Sequence, residues 1–308
     1  MSQAASIPDS RGVRRPVMTL LGAVQIATIA GLLMAVFWGP LRGTLIYKWS
    51  NDANWSHGWL IPVFSLYFLH LRRDEIAAAP RKTNYLGLLI LLASLAIYLA
   101  YLVVWPRTYP RAAAMVPAIL GVTLLLGGWS LTRIVWFPIA FLLLAVPLPD
   151  GLYFQLTWPL RAAASFLATV LLPVIPGLET ELGGRTVIDF YYHGRKGSLN
   201  VAEACSGMRL IMAFVTLGVV MAYLGDRQLW QRAVLVVCCV PIAIGCNSLR
   251  VFITGVLVIT DHGEWARGTP HALLGIAMLP IALGMFALVG YVLNHLFVEE
   301  PESSEAEG

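Results

Sequence analysis

Three short motifs hold the residue types from which an acyl-transfer site can be assembled: VAEACSGMRL at 201–210, NSLR at 247–250 and HALLG at 271–275. A cysteine becomes a nucleophile as its thiolate, and the start of a helix favours that charge through free backbone N–H groups and the positive end of the helix dipole. Cys205 stands at such a position, just before a long apolar stretch, with Ser206 and Gly207 to supply the N–H groups. Gly207 also leaves room for a substrate backbone. Arg209, four residues on, is placed either to add positive potential one turn along or to snorkel to the interface. His271 can take a proton from the thiol and return one to a departing amine. Arg250 is permanently charged and suits a peptide carbonyl or the oxyanion formed on attack. Asn247, one turn before Arg250, is placed to orient the histidine or to bind substrate backbone, and Glu203 to pair with an arginine. The chemistry these residues describe is a thioester acyl-enzyme resolved by an amine or by water.

Other protease chemistries fit less well. ACSG places Ala204 where a serine-protease G-x-S-G needs its first glycine, no H-E-x-x-H is present, and Asp150 and Asp189 fall outside the apolar spans. The remaining cysteines, Cys238, Cys239 and Cys246, lie within an apolar span and read as buried packing residues. No C-x-x-C pair occurs among the four cysteines, which argues against a disulfide scaffold and a thiolate zinc site; no cofactor is expected.

The elements that must carry these residues belong to a membrane protein. The 308 residues are 58% hydrophobic and 12% charged with a mean hydropathy of +0.74, against about 25% charged residues in a soluble domain. The net charge of +4 sits in short clusters between apolar stretches, which excludes a nucleic-acid-binding face and instead marks topology. About eight transmembrane helices are expected, near 17–38, 58–71, 85–104, 112–128, 134–149, 206–224, 230–249 and 271–297. The first is too long for the core of a cleaved signal peptide and reads as a retained span. Placing Arg11, Arg14 and Arg15 inside also puts Arg72, Arg73, Arg81, Lys82, Arg133, Arg227 and Arg232 inside, with both termini cytoplasmic.

Residues 153–175 carry Pro159 and Arg161 and read as an interfacial or re-entrant helix, because a full crossing would invert every later segment. TVIDFYY, HGRKG and SLNVA then describe a short extracytoplasmic β-hairpin over 186–202 that delivers the chain to Cys205. The expected class is thus an all-α polytopic integral membrane protein. Its expected organisation is a cytoplasmic tail at 1–16, one transmembrane domain at 17–297 and an acidic disordered cytoplasmic tail at 298–308. Cys205 begins one span, Arg250 closes the next and His271 opens the third, so all three meet at the outer boundary. His57, in WSHGWLIP, sits at the same level, either in a tryptophan-rich interface belt or at the site.

EACSGMRL, NSLR and HALLG together resemble the cysteine, N-x-x-R arginine and histidine motifs of the exosortase/archaeosortase membrane cysteine transpeptidases, and WSHGWLIPVFSLYFLHLRR is similar to that family's N-terminal half. The resemblance runs from about residue 50 to 290, and its specificity lies in the three motifs taken in order. It implies Cys205 as nucleophile with Arg250 and His271 completing the site. The implied substrates, in the bacterial type, are secreted proteins with a C-terminal sorting tail: a Pro-Glu-Pro type signal, a hydrophobic span and a basic cluster. The implied outcome is transfer of the new C-terminus to an amine or other surface acceptor, at the plasma membrane, in company with extracellular polysaccharide production. Two alternatives stand beside it, a hydrolytic membrane cysteine protease and a non-enzymatic polysaccharide transport or assembly subunit. The latter expects charges lining several spans, and only Arg161 lies far from a boundary.

Overall fold

The computed structural model describes residues 20–201, 208–225, 227–266 and 268–295. Six helices among them are long and apolar enough to cross a bilayer: Val24–Asn51, Leu86–Val103, Thr108–Ala145, Asp150–Val174, Leu229–Ile259 and Gly268–His295. A seventh apolar helix, Ile211–Leu224, is shorter. The protein is a polytopic, mainly helical membrane protein. Its chain divides into two compact units, one of residues 1–47 and 59–146 and the other of 48–58 and 147–308.

The first unit contains α1 (Leu20–Pro40), α3 (Leu60–Leu71), α4 (Arg73–Ala78), α5 (Leu86–Val103), α6 (Thr108–Ala113) and α7 (Met115–Phe141), while a one-turn helix α2 (Tyr47–Asn51) leads out of it. Backbones meet where α5 crosses α7: a Cβ on Gly121 would lie 2.8 Å from the Leu91 nitrogen and 2.9 Å from the Gly87 carbonyl oxygen. Such close approach is how membrane helices associate without a hydrophobic drive between them.

The spans expected at 112–128 and 134–149 are joined in α7, but Gly128, at φ 67° and ψ −170°, breaks it into two arms. That conformation is open to glycine alone, and the Lys82 carbonyl oxygen fills the place of a Cβ. Val116 of the first arm shares a buried cluster with Val135 and Ile139 of the second. In an unbroken helix Val116 and Val135 would stand about 28 Å apart. The arms therefore fold back on one another, and the two-segment reading survives inside one helix.

The second unit carries the three motifs. Its helices are α8 (Asp150–Leu171), α9 (Met208–Leu224), α10 (Leu229–Ile259) and α11 (Gly268–His295). Helix α8 sets aside the re-entrant form of the expectation for 153–175, since it runs 22 residues without interruption through Pro159, about 33 Å at 1.5 Å per residue. Its hydroxyl side chains are answered within the helix: Thr157, Ser165 and Thr169 donate to the carbonyls one turn back, and Arg161 lies beside Tyr153.

The expected hairpin is present as β2 (Val187–Tyr192) and β3 (Arg195–Asn200), and β1 (Leu178–Leu182) adds a third antiparallel strand in the order β1-β2-β3. Its alternation of Leu178, Thr180 and Leu182 with two glutamates has the period of a half-buried strand. The hydroxyl of Thr180 donates to the Thr169 carbonyl, tying β1 to α8. Leu178, Ile188, Leu199 and Val201 form one buried cluster with Ala168 and Leu172 and with Val251 and Ile259 of α10. This explains why α10 does not end near residue 249 as expected: residues 251–259 are apolar because the sheet packs on them. Below the sheet, α9, α10 and α11 share a core of Phe214, Leu235, Cys239, Ile242, Cys246, Met278, Ala282 and Phe286.

Candidate active site

Arg250 lies inside α10, nine residues before its end, and His271 in the first turn of α11. The guanidinium Nη2 stands 2.7 Å from His271 Nε2 and 3.4 Å from the His271 carbonyl oxygen. The twenty residues between them leave this level and return to it: α10 climbs about 13 Å beyond Arg250, and the turns of 260–266 bring the chain back. Arg250 is buried, at 8% exposure, and His271 half-buried.

Guanidinium groups only donate, so His271 Nε2 is the acceptor here and the neutral ring carries its proton on Nδ1. The arginine also lies against Gly275, one turn after His271. A Cβ built there would stand 3.4 Å from Nη2, 3.5 Å from Cζ and 3.8 Å from Nη1.

The spacing 247, 250, 254 puts Asn247, Arg250 and Thr254 along one side of α10. Asn247 and Thr254 are buried, and the Oδ1 and Oγ1 atoms have no hydrogen-bond partner among the described residues. Among the described residues no hydrogen bond joins Asn247 to His271. Thr254 and Gly275 escaped sequence reasoning. The helical step from Arg250 marks the former, and the glycine inside an apolar helix marks the latter.

Cys205, Glu203, Ser206 and Gly207 lie outside the described residues, and for Arg209 only the helical backbone is described. The flanks of that segment are anchored beside the pair. Val201 is packed in the cluster that holds Val251, the neighbour of Arg250 in sequence. On the other side Phe214 packs in the core with Cys246 and Met278. His57 is buried and belongs to the same unit as Arg250 and His271. Its ring centroid lies 5.7 Å from that of Trp55, which in turn lies 6.5 Å from Tyr153 of α8. Trp49 covers the face of Gly58 beside it. His262 and Glu264 are exposed in the turn before α11. Cys239 and Cys246 are packed in the helical core. Among the described residues no cluster of His, Cys, Asp and Glu is arranged to hold a metal ion.

One family model matches residues 49–288, that of the transmembrane exosortases. No curated protein and no solved structure matches the chain.

Proposed function

The chain belongs to the transmembrane exosortase family, whose general role is transpeptidation in protein sorting at a membrane, and on that premise we propose that it cuts secreted proteins at a C-terminal sorting tail through Cys205, His271 and Arg250. The observation that carries the assignment is the Arg250–His271 contact. Two residues twenty-one positions apart, of the types an acyl-transfer site requires, are hydrogen-bonded, and the chain that bears the cysteine is anchored on both sides to the helices that hold them.

Cys205 attacks the scissile carbonyl after losing its proton to His271, Arg250 takes up the charge on the carbonyl oxygen, and His271 returns the proton to the departing amine. Asn247, with its buried and unpartnered Oδ1, receives a backbone N–H of the substrate. Ser206, Gly207 and Arg209 favour the thiolate, Glu203 pairs with an arginine, and His57 stands in the supporting shell. The tail's own hydrophobic span confines it to the bilayer and presents its Pro-Glu-Pro type signal at the depth of the site, so that encounter is a search in two dimensions. The site faces the extracytoplasmic side of the plasma membrane with both termini cytoplasmic. The new C-terminus passes to a surface amine in a system that also exports polysaccharide. The reaction uses no metal or cofactor. Residues 17–297 serve as the transmembrane domain, flanked by cytoplasmic tails at 1–16 and 298–308.

The test is co-expression of a tagged secreted protein ending in a Pro-Glu-Pro type tail with the native chain or with Cys205→Ala. Tail removal should depend on Cys205, and the new C-terminus should carry the added mass of an acceptor. Equal processing by the alanine variant rejects the assignment, and a free carboxylate at the cut end shows hydrolysis in place of transfer.

A further inference from the structure

A neutral imidazole has two nitrogens and one proton, and the nitrogen that accepts from a guanidinium cannot hold that proton. With Arg250 Nη2 2.7 Å from Nε2, His271 is unable to act as a base at either position. Nε2 is engaged by a donor, and Nδ1 already carries the hydrogen. Protonating Nε2 in place would also set an imidazolium against a guanidinium at contact distance. Any reaction that uses His271 as a base must first break this hydrogen bond.

We infer that Arg250 works from two positions, resting on His271 in the empty enzyme and moving to the scissile carbonyl when substrate arrives, and that Gly275 is the positioning residue that makes the resting position possible. The inference rests on the proposed roles of Cys205 and His271. A peptide carbonyl, and still more the oxyanion that develops on it, is a better partner for a cation than a neutral imidazole nitrogen. The substrate thereby supplies the pull that frees Nε2.

The thiol proton then passes to Nε2, leaving a thiolate and an imidazolium. The thiolate sulfur bonds the carbonyl carbon, the π pair moves to oxygen, and Arg250 meets that charge. Collapse breaks the C–N bond, the amine takes the proton from Nε2, and a thioester and a neutral histidine remain. With Nε2 occupied, the thiol gives up its proton less readily than beside a free base, which slows adventitious acylation and oxidation.

Gly275 enters through its missing side chain. The flat guanidinium lies over it, with an added Cβ at 3.4–3.8 Å from three of the guanidinium atoms. Alanine is therefore accommodated, whereas the branched end of leucine would occupy the arginine's place and push it off His271. A glycine in a helix interior costs about 1 kcal/mol relative to alanine in intrinsic propensity, and close approach by a bulky group is what justifies one there.

The experiment measures the rate at which iodoacetamide labels Cys205 in the full-length protein in detergent micelles, at neutral pH and without substrate. The tryptic peptide of residues 197–209 holds no other cysteine and reports the site by mass spectrometry. Arg250→Met and Gly275→Leu should each raise the rate about tenfold, the worth of one hydrogen bond to a charged group, while tail processing falls. Gly275→Ala, the conservative variant, should keep the native rate. Adding His271→Ala to either fast variant should cancel the gain. Gly275→Leu retains the arginine's charge, so it decides the matter if Arg250→Met fails to fold.

If instead Arg250→Met and Gly275→Leu slow labelling and His271→Ala slows it as well, Arg250 simply stabilises the thiolate. The two-position arginine is then wrong while the site assignment stands. If neither Arg250→Met nor His271→Ala changes the rate, Cys205 is not coupled to His271, and the site assignment fails together with the inference.

Discussion

Asn247→Leu should make the protein more stable and less active at once. The side chain is 4% exposed and its Oδ1 is buried without a partner among the described residues. An amide acceptor taken from water and left unpaired costs about 1–3 kcal/mol, and leucine fills a similar volume with no polar atom. With about 2 °C per kcal/mol for a chain of this size, the apparent unfolding midpoint in detergent should rise by roughly 2–6 °C. If that oxygen is held in reserve for a substrate N–H, the same 1–3 kcal/mol disappears from the transition state, and kcat/KM for a peptide bearing the sorting signal should fall about 5- to 150-fold. The assay pairs a thermal-shift measurement with initial rates on a fluorogenic tail peptide, both in the same micelles. A midpoint that drops by several degrees while turnover is untouched would refute the reasoning, because Asn247 would then be a structural hydrogen-bonding residue and not a recognition group.

Two further outcomes test the scaffold. Gly121→Val should separate α5 from α7, since its Cβ alone would sit 2.8 Å from the Leu91 nitrogen; overpacking of this kind costs about 1–3 kcal/mol and is read as lost yield of monodisperse protein. Arg227→Ala removes a donor to the Gly290 carbonyl at 3.0 Å and to Asn294 Oδ1 at 3.0 Å. It should lower the unfolding midpoint by the equivalent of about 1–2 kcal/mol while leaving tail processing at its native rate.

Much of the architecture is legible because a membrane imposes simple rules on sequence. Apolar length alone marks α5, α10 and α11, and β-branched and aromatic alternation marks β2 and β3. The readings that changed did so where a short-range rule met a tertiary one. Pro159 and Arg161 suggest an interfacial or re-entrant segment; of the two, the re-entrant form is set aside by a helix that runs 22 residues through both, its hydroxyls donating to the carbonyls one turn back. The end of α10 was expected at the arginine because charges mark boundaries. The sheet that extends the apolar run to Ile259 lies more than fifty residues earlier in the chain, and no local pattern announces it. Strand β1 hides among glutamates, where period-two alternation is its one signal. At the candidate site, residue type and order pointed to Arg250 and His271. That the two are hydrogen-bonded, and in which tautomer, depends on helix packing and on a glycine whose meaning appears only when Arg250 lies over it.

The composition of the second unit bears on how the protein is made. Residues 48–58, with Trp49, Trp55 and His57, belong to a unit whose remainder begins at Pro147. A ribosome adding about 5–20 residues per second completes this short piece several seconds before α8 exists to receive it. During that interval Trp55, which ends at 2% exposure, has no Tyr153 to pack against. Maturation of the second unit is therefore a post-insertion event: its earliest piece must be kept within reach through the synthesis of nearly ninety intervening residues, and a chain cut after residue 146 would leave the C-terminal fragment without Trp49 and Trp55.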